Sequence, residues 1–329
     1  MKKQTAFAAA IVAALMLVSC ATSVPVSVTR PAELDLNGAK TIAILPFQIS
    51  TSQYHEESGN TVIDVINAIS YLFNKDDPDE ISSAECLTNA LTQRLSNSSY
   101  LTLVDSSTVK RTLQLGRKAP VDVYLTGKIT QFESRIDTQK VNEKVNDVYT
   151  TVLHYKRTVN VTVVYQIVDA STSTVIAYRS RNLSESSADD KMKSNLPGAY
   201  DVISSRLVGL CDQIMKEIQP YSETKYLSLL KDKTKNPELK TANELAKQGL
   251  VVQAEQRYYA VYQSTGDFAS GYNAAKLMQA EGKLESARAL MEELVNRTGD
   301  KRAITALSDI MYEINQSARL EHQLQEQGK

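Results

Sequence analysis

The chain has 329 residues, of which 42% are hydrophobic, 23% charged and 6% aromatic, with no Trp, a composition that excludes wholesale disorder and a collagen-like fibre. Lys plus Arg number 37 against 38 Asp plus Glu, a formal net charge of −1, so no basic surplus exists to neutralise a nucleic-acid backbone. At this length two domains are expected.

Lys2 and Lys3 precede an unbroken apolar stretch from Ala6 to Val18. At 13 residues it is too short to span a hydrocarbon core of about 30 Å and reads as a secretion signal over residues 1–19. It ends in Leu17-Val18-Ser19-Cys20, which resembles the lipobox of bacterial lipoproteins. The resemblance implies cleavage before Cys20 and lipidation of its thiol, which would hold the protein on a membrane by acyl chains. A conventional signal peptide, with Cys20 incidental, is the alternative. Ala21 stands where an Asp would resemble an inner-membrane retention signal, so the expected location is the outer membrane, facing the periplasm or exported to the surface. Residues 20–38, with Pro25 and Pro31, predict an irregular lipid-anchored tether. About 18 such residues reach roughly 60 Å when fully extended.

Thr41 to Phe47 is a compact apolar run predicting a buried first strand. Residues 62–73 carry apolar side chains at helical spacing, followed by an acidic stretch, Asp76-Asp77-Pro78-Asp79-Glu80, read as an exposed loop. Ala84 to Leu95 predicts a helix, Leu101 to Val104 a short strand, and Ser106 to Leu115 a Ser-capped helix. Val121 to Ile129 begins a run of long strands; Thr158 to Val168 alternates, Asp169 to Ser173 turns, and Thr174 to Ser180 returns. Tyr200 to Ile218 is an amphipathic closing helix, and Pro220 marks the expected boundary of an α/β domain over 39–220.

The order of Thr41–Phe47, a helix, Leu101–Asp105, a short helix, Val121–Ile129 and Val161–Arg181 is similar to the α/β domain of curli-assembly (CsgG-type) lipoproteins and of penicillin-binding-protein-activator lipoproteins. That resemblance covers roughly half of the chain. It implies an open α/β sheet like the TolB amino-terminal fold and a role in envelope assembly, and carries no catalytic residues. Curli-type pores need strands of about 9–11 residues with a lipid-facing side. Residues 137–157 instead carry Lys140, Glu143, Lys144, Asp147, Lys156 and Arg157, which disfavours a pore.

In the carboxyl-terminal region, 221–329, residues 242–320 superpose on themselves at a shift of 33. Ala242 superposes on Ala275 and Ser308, Leu245 on Met278 and Met311, Gly249 on Gly282, and Thr265-Gly266-Asp267 on Thr298-Gly299-Asp300. The period resembles tetratricopeptide repeats, two helices per unit stacked as an all-α solenoid. In that family the first helix of each unit lines a concave groove. The resemblance places Asn243, Lys247, Tyr272, Lys276 and Gln279 there, a mixture suited to an extended peptide or acidic segment; a solvated helix face is the alternative reading.

His55, His154 and His322 lie in three separate segments without metal-ligand spacing, and no nucleophile elbow or phosphate loop follows a strand. Cys86 and Cys211 each sit within an apolar helical pattern; an oxidising envelope permits a bridge, and lone buried thiols are the simpler reading. The expectation is a non-enzymatic, membrane-anchored envelope lipoprotein without metal or cofactor, a scaffold or assembly factor whose partners are other envelope proteins. An oligomeric secretion channel or gate is the alternative.

Overall fold

A computed structural model of the chain describes residues 22–49, 77–115, 117–145, 148–231 and 233–328. The signal segment, Cys20, His55 and the predicted helix at 62–73 lie outside these. The chain divides into two units: residues 1–31 with 222–322, and residues 32–221 with 323–329. The first is mostly helical and the second is mixed α/β.

The α/β unit is built on a five-stranded sheet of order β3-β2-β4-β5-β6. Its strands are β2 (Thr41–Ile44), β3 (Thr102–Leu103), β4 (Val123–Val145), β5 (Val148–Asp169) and β6 (Val175–Ser186). β2 runs parallel to β3 and β4, whereas β4, β5 and β6 form an antiparallel meander. Alternation assigns the two faces of β2: Ile42 and Ile44 enter the main core with Val123, Leu125, Val161, Val163 and Ile167, and Ala43 and Leu45 enter a smaller one with Tyr124 and Val168. Helices α1 (Pro78–Ser96) and α3 (Ala199–Ile218) cover the first face through Leu87, Leu91, Leu207 and Ile214. Val109 of α2 (Ser106–Gln114) closes the second.

Two expectations change. Pro78, Asp79 and Glu80 are not loop: they form the first turn of α1, where Asp77 caps the amide of Asp79 and the acids favour the positive end of the helix dipole. The tether is also corrected. Ser23–Arg30 is a strand, β1, paired with β7 (Tyr221–Ser228). In a two-stranded ribbon both strands are edges, so the missing N–H of Pro25 is tolerated. The next residues are held too: Glu33 and Leu34 donate to the carbonyls of Lys216 and Glu217, and the Gln323 side chain clasps Ala32 through its N–H and C=O.

The helical unit contains α4 (Pro237–Lys247), α5 (Val251–Thr265), α6 (Phe268–Ala280), α7 (Leu284–Thr298) and most of α8 (Lys301–Glu326). The shift of 33 reappears as geometry. Gly266 and Gly299 end α5 and α7 in the left-handed region at φ 66° and 60°, where a side chain would be strained. Ala242, Ala275, Ala254 and Ala287 are fully buried where helices cross.

Gly127, on β4, marks the closest approach in the sheet: a methyl group there would sit 2.4 Å from the Phe47 ring and 2.7 Å from the Val164 carbonyl oxygen. The backbone oxygen cannot swing aside. Gly127→Ala is expected to cost about 1–3 kcal/mol, read as a lower denaturant midpoint with an unchanged slope.

Candidate functional site

The chain's own β1/β7 ribbon lies against the helices that carry the five candidate groove residues. At one end, Leu229 N donates to the Thr22 carbonyl at 2.8 Å and Thr22 Oγ1 donates to Asn243 Oδ1 of α4 at 2.6 Å. In the middle, the Asn273 amide of α6 accepts from Leu230 N at 2.6 Å and donates to Leu230 O at 2.9 Å. At the other end Arg30 makes a two-pronged contact with Glu313 of α8, at 2.5 and 2.9 Å, and bonds Glu223 of β7 at 2.6 Å. These contacts run the two strands in opposite directions across the first helices of three successive repeats. Val24 and Leu229 add apolar cover against Leu239 and Ala242.

The five candidate groove residues are therefore separated in role. Asn243 is engaged by Thr22, and Lys247 is exposed and paired with Glu244 at 3.0 Å. Tyr272 is half-buried against Phe268. Lys276 and Gln279 are buried, with Lys276 Nζ donating to Gln279 Oε1 at 2.6 Å. Burial pushes the Lys276 ammonium down to about 8, against the pull of Asp309 and Glu313. Of the residues that hold the ribbon, Asn243 is among the five, and Arg30, Lys225, Asn273 and Glu313 are not. Their signal in the sequence is faint, since ion-pair partners 283 positions apart share no pattern.

Arg30 and Glu313 are 5% and 6% exposed, and Lys225 Nζ reaches Glu313 Oε1 at 2.8 Å. The Glu313 bonds hold the Arg30 guanidinium above its ordinary value. Burial would raise the Glu313 carboxyl, but hydrogen bonds from Arg30 and Lys225 outweigh it and hold the group below the usual carboxylate range. Such a pair is costly to break because the remaining charge stays buried.

The second feature is an arm. β4 and β5 are 23 and 22 residues long, yet β2 ends at Ile44 and β6 ends at Ser186 opposite Thr158. Beyond the Arg135–Thr158 pair the ribbon continues to Val145 and Val148, about 30 Å, and its β5 side meets the segment after β6 through the Tyr155–Asp190 bridge and the bond from Ser187 N to Arg157 O. Register assigns its faces. One face carries Ile136, Lys140 and Lys144 with Tyr149, Leu153, Tyr155 and Arg157, and no carboxylate. Tyr149 is 74% exposed and Leu153 41%. The other face carries Asp137, Glu143, His154 and Lys156.

His154 ties the arm to the segment after β6. Its Nδ1 meets Asp189 at 2.6 Å and its Nε2 meets Glu143 at 2.8 Å, while Lys191 also bonds Glu143. The Asp189 and Glu143 carboxylates hold the imidazole above its ordinary value. Because the carboxylates lie on opposite edges of the ring, they cannot chelate a shared ion. Among the described residues no group of three or more His, Cys, Asp or Glu converges on a metal position, and Cys86 and Cys211 are free thiols.

No family model matches the chain, and no curated protein does. Among solved structures, the PelC dodecamer from Paraburkholderia phytofirmans is similar over 60% of this chain and 98% of that one, at 14% identity and a TM-score of 0.28. The hypothetical protein CT253 from Chlamydia trachomatis covers 54% of this chain and 95% of its own, at 11% identity and a TM-score of 0.30. Lipoprotein GNA1162 from Neisseria meningitidis covers 54% and 97%, at 10% identity and a TM-score of 0.27.

Arg30→Met leaves the buried Glu313 with Lys225 alone, while the half-exposed Glu223 turns to water. The expected loss is about 3 kcal/mol of stability, seen by hydrogen exchange as lost protection in β1 and β7. The His154 latch has the opposite pH sense from a carboxylate pair. A raised imidazole contributes fully below the ordinary histidine value of about 6.5 and is lost as pH rises through the raised value. Protection of residues 187–192 is expected to fall over that rise in the native chain and to stay flat in His154→Gln.

Proposed function

We propose that the chain is a membrane-anchored envelope lipoprotein, lipidated at Cys20 and held at the outer membrane, that binds other envelope proteins as a non-enzymatic scaffold or assembly factor through the β4/β5 arm. The observation that carries this reading is the arm itself. It stands beyond the core helices, contributes little to the hydrophobic cluster, and among the described residues pairs with no further strand along its β4 edge or along β5 outside Tyr155 and Arg157. Such edges template a partner's strand, and proteins usually cover or blunt them. Its carboxylate-free face, with Tyr149, Leu153 and three cations, suits a partner surface that is acidic and partly apolar.

The repeat groove gives way to the arm as the recognition element, because the ribbon already occupies the face holding Asn243, Lys276 and Gln279. The tetratricopeptide-like reading of the helical unit is supported by the recurrence of left-handed glycines and buried alanines at a shift of 33. The finer kinship with curli-assembly and penicillin-binding-protein-activator lipoproteins, and with the TolB amino-terminal fold, is supported by element order: a parallel β2 beside an antiparallel meander, closed by α3.

The second reading is an oligomeric channel of the curli-pore type. What favours it is that residues 137–157 form a hairpin of spanning length. What opposes it is charge on both faces, leaving neither side for lipid. The test uses the register: residues 136–157 are replaced by Asn-Gly, joining Arg135 directly to its partner Thr158. In-cell crosslinking with mass spectrometry is expected to lose the partners crosslinked to the arm, with the melting temperature nearly unchanged. Identical partners in both forms would remove the arm from recognition, and ring-shaped particles lost with the arm would move the function to the channel.

A further inference from the structure

We propose that the helical unit carries a basic membrane-docking surface, Lys231, Lys233, Lys235 and Lys240, which settles on anionic lipid headgroups beside the point where the anchored amino terminus leaves the fold. The inference rests on the reading of Cys20 as the lipidated residue and turns an anchor into an oriented face.

The exit point is set by two hydrogen bonds. Thr22 O accepts from Leu229 N at 2.8 Å, and Thr22 Oγ1 donates to Asn243 Oδ1 at 2.6 Å. Two peptide links separate Cys20 from Thr22, so their Cα atoms are at most about 7.6 Å apart. The roughly 60 Å of slack that an irregular tether would supply does not exist, because β1 begins at Ser23. A lipidated Cys20 therefore brings this end of the helical unit within about one Debye length, some 8–10 Å, of the headgroups.

What the fold puts there is positive. The chain that leaves Leu229 runs straight into Lys231, Lys233 and Lys235, with Lys240 on the first turns of α4, and all four are exposed. Of the acids nearby in sequence, Glu238 is held by Arg257 at 2.5 Å and Glu244 by Lys247 at 3.0 Å. Asp232 is the remaining one. A chain of net charge −1 has no general surplus to explain such a cluster.

Local structure does not ask for lysine at these positions. Three of them precede the amino terminus of α4, where the helix dipole disfavours cations. Lys235 also adopts φ 58°, a left-handed conformation that Gly or Asn would occupy more cheaply. Placement against helix and backbone preference, at the membrane end of the chain, matches the pairing of an acyl anchor with a polybasic patch.

The experiment uses the full mature chain with Cys20→Ser, so that no acyl chain is present, and vesicles of phosphatidylcholine with or without phosphatidylglycerol. Co-sedimentation is expected with the phosphatidylglycerol vesicles alone, to weaken with salt, and to fall at least about tenfold in the Lys231→Gln, Lys233→Gln, Lys235→Gln, Lys240→Gln variant. Folding of that variant is checked by its thermal melt. Lys140→Gln with Lys144→Gln, on the arm, is expected to leave binding unchanged. Equal binding to both vesicle types, indifference to the four substitutions, or loss with the arm lysines instead would overturn the proposal. The mass of the protein extracted from envelopes tests the anchor separately. An unacylated Cys20 with lysine-dependent vesicle binding removes the anchor and keeps the surface; an acylated Cys20 without such binding removes the surface and keeps the anchor.

Discussion

The helical unit is closed by a charge that water does not reach. Arg30, near the start of the chain, is locked to Glu313, near its end, and to Glu223 between them, with Lys225 sharing the Glu313 carboxylate. A buried guanidinium tolerates no misplacement, because each unmet donor costs about as much as the bond it replaces. That demand fixes the β1/β7 ribbon on the repeat face. It also makes the unit discontinuous in sequence: residues 32–221, an entire α/β fold, are inserted between the two strands of the ribbon.

Several properties follow from this closure. The helices bury their apolar faces against their neighbours in one cluster that runs from Leu239 and Ala242 to Ala306 and Ile310. The ribbon adds Val24 and Leu229 to that cluster. The helix face from which Asn243 and Asn273 reach out is thus taken up by the chain's own strands. In the α/β unit α1 and α3 complete the core of the sheet, and β4 and β5 continue past it into a ribbon that enters no hydrophobic core among the described residues.

Much of the α/β unit was legible in the sequence because its elements are buried on one side and show it. Thr41 to Ile44, Ala84 to Leu95, Thr158 to Val168 and Tyr200 to Ile218 each carry the period of the element they form. The outer half of β4 was not legible, since Gln131 to Lys144 alternate between two solvated faces and leave no hydrophobic signature. β1 was hidden by Pro25, which reads as a breaker unless a two-stranded ribbon is already known. The acidic stretch before α1 looked like a loop because capping acids and solvated acids have the same composition; only the Asp77 side chain bonded to the Asp79 amide separates them.

By itself the sequence determined the repeat of 33 and the helices that carry it, because small residues at crossings and glycines at left-handed ends are local necessities, but not which face of the first helices is covered. What covers that face was decided only by tertiary structure. Thr22 meets Asn243 across 221 positions, and Arg30 meets Glu313 across 283. A contact of that range leaves no periodicity in the chain; it exists because two strands, separated by a whole inserted fold, each satisfy the other's backbone and the same buried charges.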